Sequence, residues 1–286
     1  MAIPRRIIAY KLHEFLIEDL GQGDITTAAT VPSGRKVEAF IIAKEDGVLA
    51  GLEEVEILLE SLGLEVKPLV ADGSSIRRGD SLIKISGEAS SILMAERTAL
   101  NILMRMSGIA TETQRLILKV RSSGFNVKIA CTRKTAPGLR YFDKKAVMLG
   151  GGETHRIHLD DMVLIKDNHI AVAGGLEKAI MAAKAKVSFS KKIEVEVSNI
   201  EDAVKAARLG VDVIMLDNMN PKDANDVIDK LRKLSLRDKV LIEVSGGINE
   251  ENILQYAAVK PDIISVGYIT ENPKTLDMSL KVRLKK

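Results

Sequence analysis

Cysteine is nearly absent from this 286-residue chain: Cys131 stands alone. One cysteine excludes an intramolecular disulfide framework and any multi-cysteine metal site. Long apolar runs are missing as well. No stretch approaches the ~18 residues that a membrane span needs, and the opening MAIPRRIIAYKLHEF has no apolar leader core. The sequence therefore reads as cytoplasmic. Neither sign of charge is in real excess, with 42 Lys+Arg against 39 Asp+Glu and a net +3. The basic residues are scattered among acidic ones, which argues against a nucleic-acid surface. Tryptophan is absent and glutamine occurs only as Gln22, Gln114 and Gln255. With abundant Lys, Arg and Glu, that composition points to heat tolerance and says nothing about chemistry. Gly150-Gly151-Gly152 lacks the context of a dinucleotide fingerprint or a P-loop, so it reads as a turn.

What remains is 46% hydrophobic and 28% charged, the balance of a globular protein able to bury a core. Ile7, Ile8, Leu12, Phe15, Leu16 and Leu20 recur at helical spacing up to Gly21. GDITT reads as a turn, and Val37 to Ala43 as a strand. A helix is expected from Gly51 to Leu62, stopped by Gly63, and short strands around DGSS and RRGD through residue 90. Ala89 to Arg121 reads as one long helix or two, with Gly108 as the interruption. After residue 125 the pattern changes. NVKIAC, MVLIK, IEVEV, VDVIML, VLIEV and DIISV alternate with amphipathic stretches, the signature of a parallel α/β sheet covered by helices. Six readable strands fall short of a closed eight-stranded barrel, so an incomplete barrel and a doubly wound sheet both fit.

Each of the six strands ends near a charged residue or glycine. These are Thr132-Arg133-Lys134, Lys166-Asp167-Asn168, Glu196, Asp217-Asn218, Ser245-Gly246-Gly247 and Gly267. Strand C-terminal ends are where α/β barrels assemble their sites, because residues from different units converge there. A polar strand exit is ordinary in any single case; six together point to a site. Arg133, Lys134, His155, Arg156 and Lys166 fall within residues 133–166. Two unit charges ~4 Å apart repel by ~4 kcal/mol at an effective dielectric of 20, so such a cluster implies an anion that occupies it. Ser245-Gly246-Gly247 and Gly267 form a second expected anion site, since glycine lets backbone N–H groups approach a phosphate. Together with Glu196 and Asp217, these residues describe a ligand with a phosphate at one end and further negative charge near two carboxylates. His13, His158 and His169 read as structural, and Cys131 as a small buried hydrophobe without an activating base.

ERTALNILMRMSGIAT (96–111), TRKTAPGLR (132–140), GGGETHRIHLDDMVLIKDNHI (150–170), EVEV (194–197), IMLDNM (214–219) and SGGI (245–248) strongly resemble the quinolinate phosphoribosyltransferase family. The resemblance runs from GDITT to the final SVG and implies an α/β fold. An N-terminal α/β sandwich would span residues 1–108 and an open, seven-stranded α/β barrel residues 109–270. A C-terminal tail, 271–286, would pack back on the first domain. It implies a homodimer or larger oligomer in which one subunit caps its neighbour's barrel. Quinolinate would be held by Arg133, His155, Arg156 and Lys166, by Thr132 beside them, and by Arg97 from the partner subunit. Lys134 would face phosphoribosyl pyrophosphate. Glu196 and Asp217 would bind the ribose hydroxyls and Mg2+, the latter partly through substrate and water. These two carboxylates and Lys134 are the catalytic set. Ser245, Gly246 and Gly247, with Val266, Gly267 and Tyr268, would hold the 5′-phosphate. Two departures from the family pattern are visible: Cys131 where Asp is common, and Glu271 where His is common.

The implied reaction converts quinolinate and phosphoribosyl pyrophosphate to nicotinate mononucleotide, CO2 and pyrophosphate, a step towards NAD. The alternatives are a paralogous phosphoribosyltransferase with a different acceptor and a sugar-phosphate aldolase or isomerase using Lys166. A biotinyl-type carrier is a third, but the hairpin tip Arg77-Arg78-Gly79-Asp80 lacks the modifiable lysine. The cationic set Arg133, His155, Arg156 and Lys166 favours a dicarboxylate acceptor.

Overall fold

The computed structural model describes residues 3–283; the expected tail extends past this range, and its residues 284–286 lie outside the described residues. Along the chain, α1 (Arg5–Leu20) buries Ile8, Leu12 and Leu16 at four-residue spacing. The GDITT segment is more than a turn: Asp24 accepts the Thr27 N–H at 2.9 Å and caps a short helix, α2 (Ile25–Thr30). Next come β1 (Lys36–Ala43), β2 (Gly47–Val48), α3 (Leu52–Ser61), β3 (Glu65–Pro68), β4 (Ser75–Ile76) and β5 (Ser81–Glu88). A single 34-residue helix, α4 (Ala89–Ser122), follows without a break at Gly108. Gly108 answers a packing need, because a Cβ there would lie 1.8 Å from the Lys274 carbonyl oxygen.

The second half contains β6 (Lys128–Cys131), α5 (Arg140–Leu149), β7 (Val163–Ile165), α6 (Asp167–Ala173), α7 (Leu176–Lys186) and β8 (Ile193–Val197). It continues with α8 (Ile200–Arg208), β9 (Val213–Asp217), α9 (Pro221–Lys233), β10 (Leu241–Ser245), α10 (Ile253–Ala258) and β11 (Ile263–Val266). The chain closes with α11 (Tyr268–Glu271) and β12 (Met278–Arg283). Helices α8 and α9 start where the sequence supplies caps. Asn199 accepts the Asp202 N–H ahead of α8, and Asn220 followed by Pro221 opens α9. α9 then buries Ala224, Val227, Ile228 and Leu231 at helical spacing. Each of the larger three contributes about 1.5–3 kcal/mol on burial.

The chain divides into two compact units. One comprises the described residues up to Gln114, Tyr141–Gly151 and those from Pro273 on; the other comprises Arg115–Arg140 and Gly152–Asn272. The first unit holds a four-stranded antiparallel sheet in the order β12-β1-β5-β3, and β2 pairs with β4. Strand β1 alternates, burying Val37, Ala39, Ile41 and Ala43 on one face.

The second unit is an open parallel sheet in the order β6-β11-β10-β9-β8-β7. All six strands read from the sequence are present. Where seven were implied, the seventh position is a single bridge: Glu153 lies beside Ala130 on β6 and exchanges backbone hydrogen bonds with Ile129 and Cys131. The interior face is not uniformly apolar as parallel runs usually are. Glu194, Glu243 and Ser265 are buried on these strands, and register places Glu196 and Glu243 on either side of Met215 of β9.

Candidate functional site

A cavity of about 750 Å³ opens in the second unit, within the range of small-molecule sites. Its lining comes from strand ends and the loops that follow them. Thr132, Arg133 and Lys134 follow β6, Lys166 follows β7, and Glu196 lies near the end of β8. Asp217 ends β9, Ser245 ends β10 ahead of Gly246 and Gly247, and Gly267 and Tyr268 follow β11. The period of two explains the selection. Leu164 and Lys166 share one face of their strand, as do Met215 and Asp217, or Glu243 and Ser245. In the parallel register Ser245 stands beside Asp217. His155 and Arg156 complete the wall from the segment after Glu153.

Two of the residues expected at the site do not line this cavity. Val266 is fully buried at the end of β11, one residue before the lining begins. Arg97 lies exposed on α4 in the first unit. Residues that the sequence reading left without a role also line it, among them Leu164, Met215, Asn218, Glu243, Asn249 and Glu271. Asn218 was visible as part of a polar strand exit. Glu243 had only one signal, a charge inside the apolar run VLIEV.

The electrostatics are uneven. Burial and the neighbouring Arg133 cation push the Arg156 guanidinium below its ordinary value, with Glu194 and Glu196 opposing. Arg133 Nε is buried without a hydrogen-bond partner, a state that costs about 1–3 kcal/mol until a partner arrives. Lys166 Nζ donates to the Glu196 carboxylate, so the cation and the carboxylate expected on different ligands pair with each other here. Lys134 Nζ lies 3.7 Å from Glu271, with both side chains more than half exposed. Among the described residues four non-glycine positions have positive φ, and two of them, His155 (φ 50) and Asn218 (φ 54), line the cavity. Strain of this kind collects at functional sites. Asn218 donates its N–H to the Ser245 carbonyl at 2.9 Å and its side-chain amide to Asp217 at 2.7 Å, joining the β9 and β10 exits.

His155 has both ring nitrogens engaged. Nδ1 accepts the Arg156 backbone N–H at 2.7 Å, and Nε2 lies 3.3 Å from Glu194 and from Glu243. Burial opposes a charge on the ring, while the two carboxylates outweigh burial and push the imidazole up to about 9. The Arg156 N–H counters that push, because a second ring proton on Nδ1 would point at it; the ring as placed is the Nε2–H form. Burial and the neighbouring Glu243 raise Glu194, so that carboxyl takes up a proton more readily than usual. His169 acts locally, its Nδ1 accepting the Lys166 N–H at 3.0 Å where α6 begins.

Among the described residues, two groups of side chains are close enough to share a metal ion, His155/Glu194/Glu243 and the exposed His158/Asp160/Asp161. Glu196 and Asp217, on adjacent strands and both half-buried, offer the hard oxygen donors that suit Mg2+.

A parallel α/β sheet whose strand ends and loops carry arginines, lysines, paired carboxylates and glycine turns around one cavity defines an α/β enzyme for a small polyanionic ligand. Comparison with known proteins narrows the class. Family models for the N-terminal and C-terminal domains of quinolinate phosphoribosyl transferase match residues 24–107 and 109–281. A probable nicotinate-nucleotide pyrophosphorylase (carboxylating) from Archaeoglobus fulgidus is 48% identical over 91% of this chain and 98% of its own. The human nicotinate-nucleotide pyrophosphorylase (carboxylating) is 35% identical over 99% and 94%. The solved nicotinate-nucleotide pyrophosphorylase of Francisella tularensis superposes with a TM-score of 0.90 at 37% identity, covering 99% of this chain and 98% of that one. The chain belongs to the quinolinate phosphoribosyl transferase family.

Proposed function

We propose that this chain joins quinolinate to phosphoribosyl pyrophosphate and decarboxylates the product, giving nicotinate mononucleotide, CO2 and pyrophosphate. The observation that carries the acceptor is the pair Arg133 and Arg156, lining one cavity. Arg133 keeps a buried N–H without a partner, and burial together with the Arg133 cation disfavours the Arg156 charge. A dianion relieves both at once; a neutral or singly charged acceptor does not. Arg133, Arg156 and Lys166 then grip the two carboxylates, with Thr132 beside them and Arg97 supplied by a second copy of the chain. Lys134 faces the pyrophosphate. Ser245, Gly246 and Gly247, with Gly267 and Tyr268, hold the 5′-phosphate.

Glu196 and Asp217 hold the ribose hydroxyls and would hold Mg2+, which would neutralise charge on the leaving pyrophosphate. As the bond from the anomeric carbon to pyrophosphate breaks, positive charge develops on the ribose, and the two carboxylates favour it. The acceptor nitrogen, held in line by the arginines, supplies the electron pair for the new bond. The carboxylate on the adjacent ring carbon then leaves as CO2. Its electron pair stays beside the pyridinium nitrogen and takes up a proton. The substrate serves as its own electron sink.

Titration calorimetry with quinolinate and with nicotinate, without the donor, tests the acceptor assignment. One charge-assisted contact fewer is worth about 1.5–3 kcal/mol, so quinolinate should bind about tenfold or more tighter. Equal affinities would point to a different acceptor.

A further inference from the structure

Glu194 and Glu243 lie outside the chemistry proposed above. Both are fully buried on the interior face, on β8 and β10 with β9 between them. Buried carboxylates are costly, and apolar side chains would serve a sheet interior better. Their satisfaction is incomplete. Glu243 accepts the Ser265 hydroxyl at 2.5 Å through Oε1, but its Oε2 and both oxygens of Glu194 make no hydrogen bond of good geometry. The His155 Nε2–H faces both, 3.3 Å from each, and the two carboxylates also lie beside each other. The opposite ring nitrogen takes the Arg156 N–H at 2.7 Å. His155 itself sits at φ 50, a left-handed conformation that an ordinary side chain keeps only where its surroundings hold it. The chain of contact therefore runs from two carboxylates through the ring to the backbone of Arg156.

We infer that Glu194 and Glu243 are positioning residues for the acceptor pocket: they clamp the His155 ring and, through its Nδ1, set the backbone from which Arg156 reaches the acceptor. His155, with both nitrogens engaged, acts as a strut rather than as a hydrogen-bond donor to substrate. The inference rests on the acceptor reading above and concerns the reach of the two side chains, not their charge.

Reach and charge separate cleanly by substitution. Glu194→Gln and Glu243→Gln keep an oxygen at the same length and remove the charge. Glu194→Asp and Glu243→Asp keep the charge and withdraw it by one methylene. Steady-state kinetics should show the quinolinate KM of each aspartate variant raised by about tenfold or more, the scale on which supporting-shell losses act. The phosphoribosyl pyrophosphate KM should stay within about twofold, and each glutamine variant within about threefold of wild type on both substrates. An aspartate variant that fails to fold is replaced by Glu→Met, which keeps the length, removes the acceptor and should show the same selective loss. The reverse order, aspartate active and glutamine impaired, would overturn the inference, as would equal loss for both substrates. So would a stoichiometric metal ion in the purified protein that disappears from the Glu194 and Glu243 variants, since the three groups would then be ligands.

A second arm needs no substrate. Nitrogen-15 spectra of the four histidines, with His155 assigned from His155→Gln, should show its proton on Nε2 in the ligand-free protein. The signal should move in both aspartate variants. If the wild type ignores quinolinate yet this signature holds, the acceptor reading fails and the brace stands. If quinolinate is used and the His155 signal is indifferent to both glutamates, the brace fails alone.

Discussion

Burial and the Arg133 cation both disfavour the Arg156 charge, and the proposed dicarboxylate would offset both. Arg156→Ala should therefore raise the quinolinate KM by about tenfold to a hundredfold, the value of one charge-assisted contact, with a much smaller change for phosphoribosyl pyrophosphate. Equal losses in steady-state kinetics would remove Arg156 from the acceptor pocket. Lys166→Ala is less selective, because it also releases Glu196 from its ion pair; both KM values should rise. Cys131 is fully buried on β6 and absent from the cavity lining. Cys131→Ala should keep its activity, and alkylation should be slow. Rapid inactivation that quinolinate prevents would place the thiol in the pocket. Arg133, Lys134, Lys166, Glu196 and Asp217 were legible in the sequence because each lies at or near a strand exit, and Arg156 because it falls within the same run of basic residues. Glu194 and Glu243 gained no role because burial on an interior face, and the meeting with His155 from far along the chain, are set by sheet register. Sequence spacing does not carry register.

The six strands of the second unit are apolar runs of the right length with polar exits, so the pattern located every one of them. Helices were less legible. Gly108 looks like a break in α4, yet its missing side chain makes room for the Lys274 carbonyl, a contact between segments distant in sequence. The GDITT segment looks like a turn because α2 is only 6 residues long, too short for a periodic signal. The β10 exit makes its own prediction. Gly246 sits at φ +101, and a Cβ there would lie 2.3 Å from Asn218 Oδ1 and 2.8 Å from its backbone nitrogen. Gly246→Ala should lower the melting temperature through about 1–2 kcal/mol of backbone strain. It should also raise the KM for phosphoribosyl pyrophosphate more than that for quinolinate. An unchanged melting temperature and donor KM would mean that the turn relaxes freely and does not hold the phosphate.

The role proposed for Arg97 requires a second copy of the chain. It is exposed on α4 and does not line the cavity of the second unit. If a second copy supplies it, Arg97→Ala and Arg133→Ala homodimers should each be nearly inactive. Unfolded and refolded together, they should give about half mixed dimers and recover roughly a quarter of wild-type activity, since each mixed dimer keeps one intact pocket. A Lys166→Ala and Arg133→Ala mixture should recover nothing. A first mixture as inactive as its parents, with wild type refolding normally, would contradict a shared pocket.

A balanced conversion at one cavity is read from the stoichiometry of its products. Protein, quinolinate carrying label in the carboxyl next to the ring nitrogen, phosphoribosyl pyrophosphate and Mg2+ are incubated together. Labelled CO2, pyrophosphate and nicotinate mononucleotide are measured over time. The three products should appear in equal amounts, nicotinate should not turn over as acceptor, and Arg133→Ala should lose all three together. Turnover of nicotinate with quinolinate left untouched, or pyrophosphate released without labelled CO2, would contradict it.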